Sequence, residues 1–502
     1  LIEIPVKMSP ALTTDVAVNG STANGANGTA HSSKPIPAVT SIFASFVADA
    51  RTNDITQQMR DRLKEYILDY IGVTLAASQS SDSTGPFLSA VKALGGATGG
   101  SSTVLGKGKS FTPQYASLLN AALGHSLDFD DTYAKGTLHA GVTAIAAGLT
   151  QAELLADDDD QNQVDNNMMD RFLLAVAVGY EITCRLGREL GNEAYSRGFH
   201  NTSTAGIFGA VATICVLKRL PAETVANAFG LAGSKAAGSM QYLENGSWNK
   251  RLHPGFAAHD AFMAVALAEA GVIGAAKIFE GTFGFLNAYS PKDDKDLDYL
   301  TADLGRRWEF LETSLKPFPA CRMTHGFIEN ATKLGREKGH TKASDVKSIT
   351  LSLSPANVSV VGAPIPNKIH PENMVDAQFS AYFTTANSFL YGSDNGVRCY
   401  EQDRLMDPEI RALSDKITCK GDKAIKQFGS KMKVEYADGK TEEVEIPYPL
   451  GETQHPFTRD QVDAKFFSLV NPVFGEKRAT QIRDMVDAIE RHTVTELLGS
   501  LY

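Results

Sequence analysis

The stretch 204-TAGIFGAVATICVLKRL-220 decides the fold. Its apolar and small residues run round the whole circumference of a helix, and a helix that is hydrophobic all round is an interior one. The Gly and Ala let neighbouring helices approach closely. The pattern repeats on both sides. It recurs in 170-DRFLLAVAVGYEITCRLGREL-190, in 221-PAETVANAFGLAGSKAAG-238, with Pro221 at a helix start, and in 259-HDAFMAVALAEAGV-272. Further upstream, 55-ITQQMRDRLKEYILDYIGVTLAA-77 places Met59, Leu63, Ile67 and Ile71 four residues apart, as one face of a helix requires. From about 40 to 290 the chain therefore reads as helical. The run 156-ADDDDQNQVDNN-167 reads as a charged loop between two helices.

The character changes after about 312. The segment 346-VKSITLSLS-354 alternates as a strand does, and 431-KMKVEYADGKTEEVEIP-447 is a hairpin about an Asp438-Gly439 turn. Helical 376-DAQFSAYFTTANSFLYG-392 lies between them, and 458–492 is helical again. The expected fold is mainly α: a large all-α domain of residues 36–312 plus 455–502, with an inserted α+β lid of residues 313–454. Residues 1–35 are rich in Ser, Thr, Asn, Gly and Ala and read as a disordered tail. That tail lacks a basic-then-apolar pattern and is not expected to be a targeting peptide. "LIEIPVK" ahead of Met8 is left out of the fold reading.

The 502 residues carry a formal net charge of -10. An acidic chain repels phosphate backbones and anionic membranes, so no nucleic-acid or membrane partner is expected. No apolar run reaches the roughly 18 residues of a membrane span. Five scattered Cys, without a CxxC pair, favour a reducing, cytoplasmic setting, with a mitochondrial one left open. None of the 11 His falls in an HExxH or similar spacing, and no Gly-rich phosphate loop follows a strand. Neither a metal nor a nucleotide cofactor is expected.

Four segments combine reactive side chains with a helix start or a domain junction. The first, 128-DFDDTYAKGTLHAG-141, offers Asp128, Thr132 and His139. It reads as a metal site, an acid/base site or a polar turn between buried helices. Its DxDD pattern also occurs in terpene cyclases, but the DDxxD-like run fails at Ala134, and 2 Trp are few for a carbocation cavity. The second, 197-RGFHNTSTAGIFGA-210, sets His200 before Thr202 and Ser203, plausible N-caps. Helix N-termini favour anions. The third, 247-SWNKRLHPGFAAHD-260, holds Lys250 and Arg251 ahead of a Pro-Gly turn. The fourth, 314-SLKPFPACRMTHG-326, holds Lys316, Cys321 and Arg322 at the expected junction, where clefts tend to form. No local partner argues for a lowered Cys321 pKa. Each segment also has an ordinary reading, as a satisfied core histidine or as solvated cations.

Taken in this order, the segments resemble the MmgE/PrpD family, whose members include 2-methylcitrate dehydratase and cis-aconitate decarboxylase. "LDFDDT", "FHNTSTAGIFGA", "KRLHPGFAAHDAFMAVALAEAG", "LKPFPACRMTHG" and "DAQFSAYF" carry the resemblance, which runs from about residue 40 to the C-terminus. It implies a helical domain with an α+β lid, a homodimer, a small polycarboxylate substrate and no cofactor. Carried over by motif, functional residues fall on Asp128, Thr132, His139, His200, Lys250, Lys316 and Tyr382. His139 and His200 would move or direct protons. Asp128 would orient a histidine, and Thr132 and Tyr382 would donate hydrogen bonds. Lys250 and Lys316, helped by Arg251 or Arg322, would hold carboxylates. The chain departs from the family at His139-Ala140, where His-Pro or His-Ser is common, and the loop before His139 varies in length among members. It lacks the insertion of the long dehydratases, which tilts the expectation toward a cis-aconitate-type decarboxylase. Dehydration of an alkylcitrate, epimerisation of an acidic carbon and an inactive helical binding protein remain the alternatives.

Overall fold

In the computed structural model, residues 37–159, 168–293, 295–393 and 396–502 are described. The expected tail, residues 1–35, and the larger part of the expected charged loop lie outside them. The chain is mainly helical, with short strands, the longest of them in the second half.

The Asn201–Lys218 helix, which contains all but the last two residues of the opening stretch, is buried from Asn201 to Leu217. It packs along the Met168–Ser196 helix through an exchange of small residues. A Cβ on Gly179 would stand 2.0 Å from Thr213 Oγ1, and one on Gly209 would stand 2.0 Å from Thr183 Oγ1. Glycine is thus required there by contact rather than by conformation. The helices Gln57–Ser80, Pro113–Ser126, Gly141–Asp159 and Asn249–Glu269 complete this layer, with Met59, Leu63, Ile67 and Ile71 all buried as the four-residue spacing predicts. Val462, Phe466 and Ile482, from helices near the C-terminus, enter the same core.

A second core gathers Met240, Tyr242 and residues between Cys321 and Tyr436. Its sheet has four strands. Val346–Leu353 runs parallel to Ile417–Gly421 and antiparallel to Ser430–Tyr436, which forms the hairpin with Thr441–Ile446. The hairpin turns at Gly439, whose φ of 87° suits glycine. Residues 37–502 form one compact unit around both cores.

Three local expectations are corrected. Residues 156–159 continue the Gly141–Asp159 helix rather than forming a loop. Pro254 and Gly255 lie inside the Asn249–Glu269 helix, not in a turn before it. His200, not Thr202 or Ser203, occupies the N-cap of its helix, without a side-chain cap bond. The two hydroxyls have other uses: Thr202 Oγ1 accepts the His139 backbone N–H at 3.1 Å, and Ser203 Oγ donates to the His253 carbonyl at 2.9 Å.

Candidate active site

The Pro113–Ser126 helix carries His125 in its last turn. Three residues on, Asp128 takes the left-handed conformation, φ 50°, which aspartate tolerates better than most side chains. Thr132–Tyr133 then pairs antiparallel with Thr313–Ser314, reinforced by a 3.0 Å contact between the Thr132 and Ser314 hydroxyls. This pairing sets Lys316 two residues past the strand, beneath Asp128. Lys316 Nζ donates to the Asp128 carbonyl oxygen and lies 3.1 Å from its Oδ1. From the Asn249–Glu269 helix, Lys250 Nζ donates to the same Oδ1 at 2.9 Å. Burial works against an ionised Asp128, but the two ammonium groups outweigh it and hold this carboxyl well below the usual range.

Lys250 Nζ also lies 2.9 Å from His125 Nε2, and His125 Nδ1 lies 2.8 Å from Asp130 Oδ2. An ammonium can only donate, so His125 accepts at Nε2 and carries its proton at Nδ1, facing Asp130. His139 stands edge-on to His125 at 4.5 Å between ring centroids. Its Nδ1 lies 3.2 Å from Asp130 Oδ2 and its Nε2 3.6 Å from Asp128 Oδ1. His200 stacks on His125, and its Nδ1 meets His253 Nδ1 at 3.0 Å. Burial is the main force that lowers the pKa of all four histidines, to about 3 for His125 and about 4 for His253. Burial, and then the Asp130 charge, pushes Asp131 up to about 8, next to Tyr180 and the Gly141 N–H.

A small cleft opens on this cluster. Asp128, Thr132, His139, His200 and Lys250 line it from the helical side, and Cys321, Arg322 and Phe379 from the second core. Arg322 donates from Nε to Glu452 at 2.6 Å, while its buried Nη2 has no hydrogen-bond partner among the described residues. Cys321 is buried and pushed up to about 11, so it is a poor nucleophile.

Two expected residues are placed elsewhere. Arg251 leaves its helix on a different side from Lys250 and bonds Asp82 and Ser83. The Tyr382 hydroxyl donates to the Gly362 carbonyl at 3.0 Å, inside the second core. Asp128 has His139 Nε2 3.6 Å from its Oδ1. The lysines occupy it, and Asp130 is the carboxylate closer to the histidines. His125, Asp130 and His253 were missed as site residues. The signal for His253 was its i,i+3 spacing from Lys250 on one helix face. The signal for His125 was its place three residues before Asp128.

The expectation of no metal rested on sequence spacing, yet His125, Asp130 and His139 bring ligand-type atoms within 4.8 Å of one another. Both His125 nitrogens are already engaged, and two ammonium groups sit against the neighbouring carboxylate. The group therefore fits a charge relay, with His125 hydrogen-bonded to Asp130 and His139 approaching the same oxygen, better than a dication site. In the loop ahead of His139, Tyr133 N–H donates to the Leu138 carbonyl at 2.8 Å and closes residues 134–137 into a small turn. Thr137 and Leu138 line the cleft, and Lys135 turns away toward Glu309 and Glu312.

Among the described residues, no helix is long and apolar enough to cross a membrane. The chain matches the MmgE/PrpD N-terminal domain over residues 41–298 and the MmgE/PrpD C-terminal domain over 318–491. It is 28% identical over 484 residues to a cis-aconitate decarboxylase-like protein, oryM, of Aspergillus oryzae, covering 93% of this chain and 98% of that one. Against a cis-aconitate decarboxylase of Aspergillus terreus the identity is 26% over 482 residues, 92% and 96% of the two chains. Against the cis-aconitate decarboxylase of Mus musculus it is 27% over 398 residues, 76% and 75%.

Proposed function

The chain belongs to the MmgE/PrpD family, and from that premise we propose that it is a cofactor-independent lyase that decarboxylates a cis-aconitate-type tricarboxylate. The observation that carries the reading is the buried pair of ammonium groups, Lys250 and Lys316, on one aspartate beside four histidines. Lysines suit carboxylates as point charges, and Arg322 Nη2 is the guanidinium nitrogen left to donate to a carboxylate, since Nε is held by Glu452 and Nη1 by His325. When the C–C bond to the departing carboxylate breaks, its electron pair stays on the carbon skeleton and CO2 leaves. The resulting carbanion takes a proton from His139, whose Nε2 is on the cleft side of the relay. Asp130, at its Nδ1, favours the protonated ring. In the free site burial keeps His139 neutral, and a bound polyanion raises its pKa, so the proton arrives with the substrate. The relatives named as cis-aconitate decarboxylases support the same reaction here.

The test is a product assay on cis-aconitate, 2-methylcitrate, citrate and longer alkylcitrates. CO2 release from cis-aconitate is the expected result. A new double bond formed from an alkylcitrate, without CO2, would select dehydration instead, and no turnover of any member would remove the lyase reading.

The second core would act as a lid over the cleft, and the chain would work as a homodimer in a cytoplasmic setting. The outer face of the Asn249–Glu269 helix exposes Phe256, Met263 and Leu267 at helical spacing, followed by Val272 and by Ile273, which is 85% exposed. An apolar stripe of this kind suits a second copy. In sedimentation at micromolar concentration the chain is expected at twice its own mass, and Met263→Glu is expected to shift it toward the single chain. A wild-type chain sedimenting alone would remove the dimer.

A further inference from the structure

Lys368 has no part in the site derived above. It sits in the short Pro366–Ile369 helix of the second core and is 2% exposed. Among the described residues its Nζ has neither a hydrogen-bond acceptor nor an ion pair. An unpaired ammonium is among the most costly groups to bury, so a lysine kept in this condition needs a reason. Its nearest carboxylate, Asp376, is already engaged by the side-chain amides of Asn367 at 3.0 Å and Asn373 at 2.7 Å. Burial pushes the Lys368 pKa down to about 8, with partial compensation from Asp376 and Cys321.

The position of its ammonium group is informative. Lys368 Nζ lies 5.6 Å from the centroid of the Phe379 ring, and Lys250 Nζ lies 5.6 Å from the same centroid. The two ammonium groups are therefore no further apart than twice that distance. Phe379 and Cys321, the neighbours that Lys368 feels, both line the cleft. The charge balance of the helical side leaves room for a further cation. Lys250 and Lys316 are offset by Asp128 and Asp130, and the histidines are neutral. A substrate with three carboxylates would meet little net positive charge from those groups alone.

We propose that Lys368 is a substrate-binding residue that holds one carboxylate of a tricarboxylate from the second-core side, opposite Lys250 and Lys316, and so selects tricarboxylates over dicarboxylates. The assignment rests on the polycarboxylate reading above and adds a residue and a selectivity to it.

The test uses the whole chain and two unreactive probes, tricarballylate and glutarate, which differ by the central carboxyl group. Binding is measured by calorimetry for the wild type and for Lys368→Met. Loss of one charge-assisted contact is expected to weaken tricarballylate by about ten- to a hundred-fold. Glutarate, which the remaining cations can hold at both ends, is expected to change by less than about threefold on the same grounds. The melting temperature should stay level or rise, because an unpaired buried charge has been removed. A lysine kept for structure would give the reverse, a lower melting temperature with the tricarballylate-to-glutarate ratio unchanged, and that result overturns the assignment. Lys368→Gln carries the same comparison if the methionine variant does not fold. Failure of the wild type to bind either probe would remove the polycarboxylate reading and Lys368 with it. Binding of both with an unchanged ratio in the variant removes Lys368 alone.

Discussion

His139→Gln is expected to lower kcat for CO2 release from cis-aconitate by about 10²- to 10⁴-fold, the usual worth of a positioned proton donor. Glutamine fills much of the same space and can still hydrogen-bond, so the buried cluster should survive and the melting temperature should move little. KM should also change little, because the cations that hold the carboxylates are untouched. A second readout separates proton transfer from packing. The free His139 is neutral, since burial and the nearby lysines lower its pKa. Binding of tricarballylate near pH 7 should therefore take up protons, approaching about one per site. Calorimetry in buffers of different ionisation enthalpy measures that number. The uptake should largely vanish in His139→Gln. Equal uptake in both proteins, or a variant with near-normal kcat, would take the proton-donor role away from His139.

Asp128→Asn should strike stability as hard as activity. Asp128 is the shared counter-ion of two buried lysines, and Lys316 has no exposed surface. Removing one partner of a buried ionic group costs about 3–5 kcal/mol, because the remaining charge stays buried without compensation. Urea denaturation should show a loss of that order. Lys316→Met added to Asp128→Asn should recover part of it by deleting the orphaned ammonium. The sign of the pH effect follows from the depressed folded-state pKa. The stabilisation by Asp128 is fully present above its unfolded pKa near about 4 and fades only as pH falls toward the lower folded value. The deficit of the variant should therefore be constant through neutral pH and shrink in strong acid. A variant within about 1 kcal/mol of wild type at pH 7 would mean that the lysines do not depend on this carboxylate.

Helix periodicity and strand alternation are local properties, so the helices of the first core and the Asp438-Gly439 hairpin were legible in the sequence. The site was legible wherever a motif fixes the backbone path, as at Asp128, Thr132 and His139. It was less so where function depends on the side from which a side chain leaves its helix. Lys250 and Arg251 are chemically alike and adjacent, yet helix rotation sends one to Asp128 and the other to Asp82. Tyr382 follows the same rule, since its position in a motif does not say that its hydroxyl ends on Gly362. His125 was obscured by the apolar residues around it. The relay of His125, Asp130 and His139 joins residues whose approach depends on a left-handed turn that no composition announces.

The backbone clasp between Tyr133 and Leu138 has a bearing on how such a chain can change over time. Because the clasp closes residues 134–137 off as a unit, a residue gained or lost within them alters the size of a small loop and the seat of buried Gly136 against Gly187 and Asn201. It leaves the spacing of Thr132 and His139 across the clasp as it was. Length can thus drift in that segment without disturbing the proton chemistry on either side. The wall formed by Thr137 and Leu138 is free to be recut for a differently shaped acid.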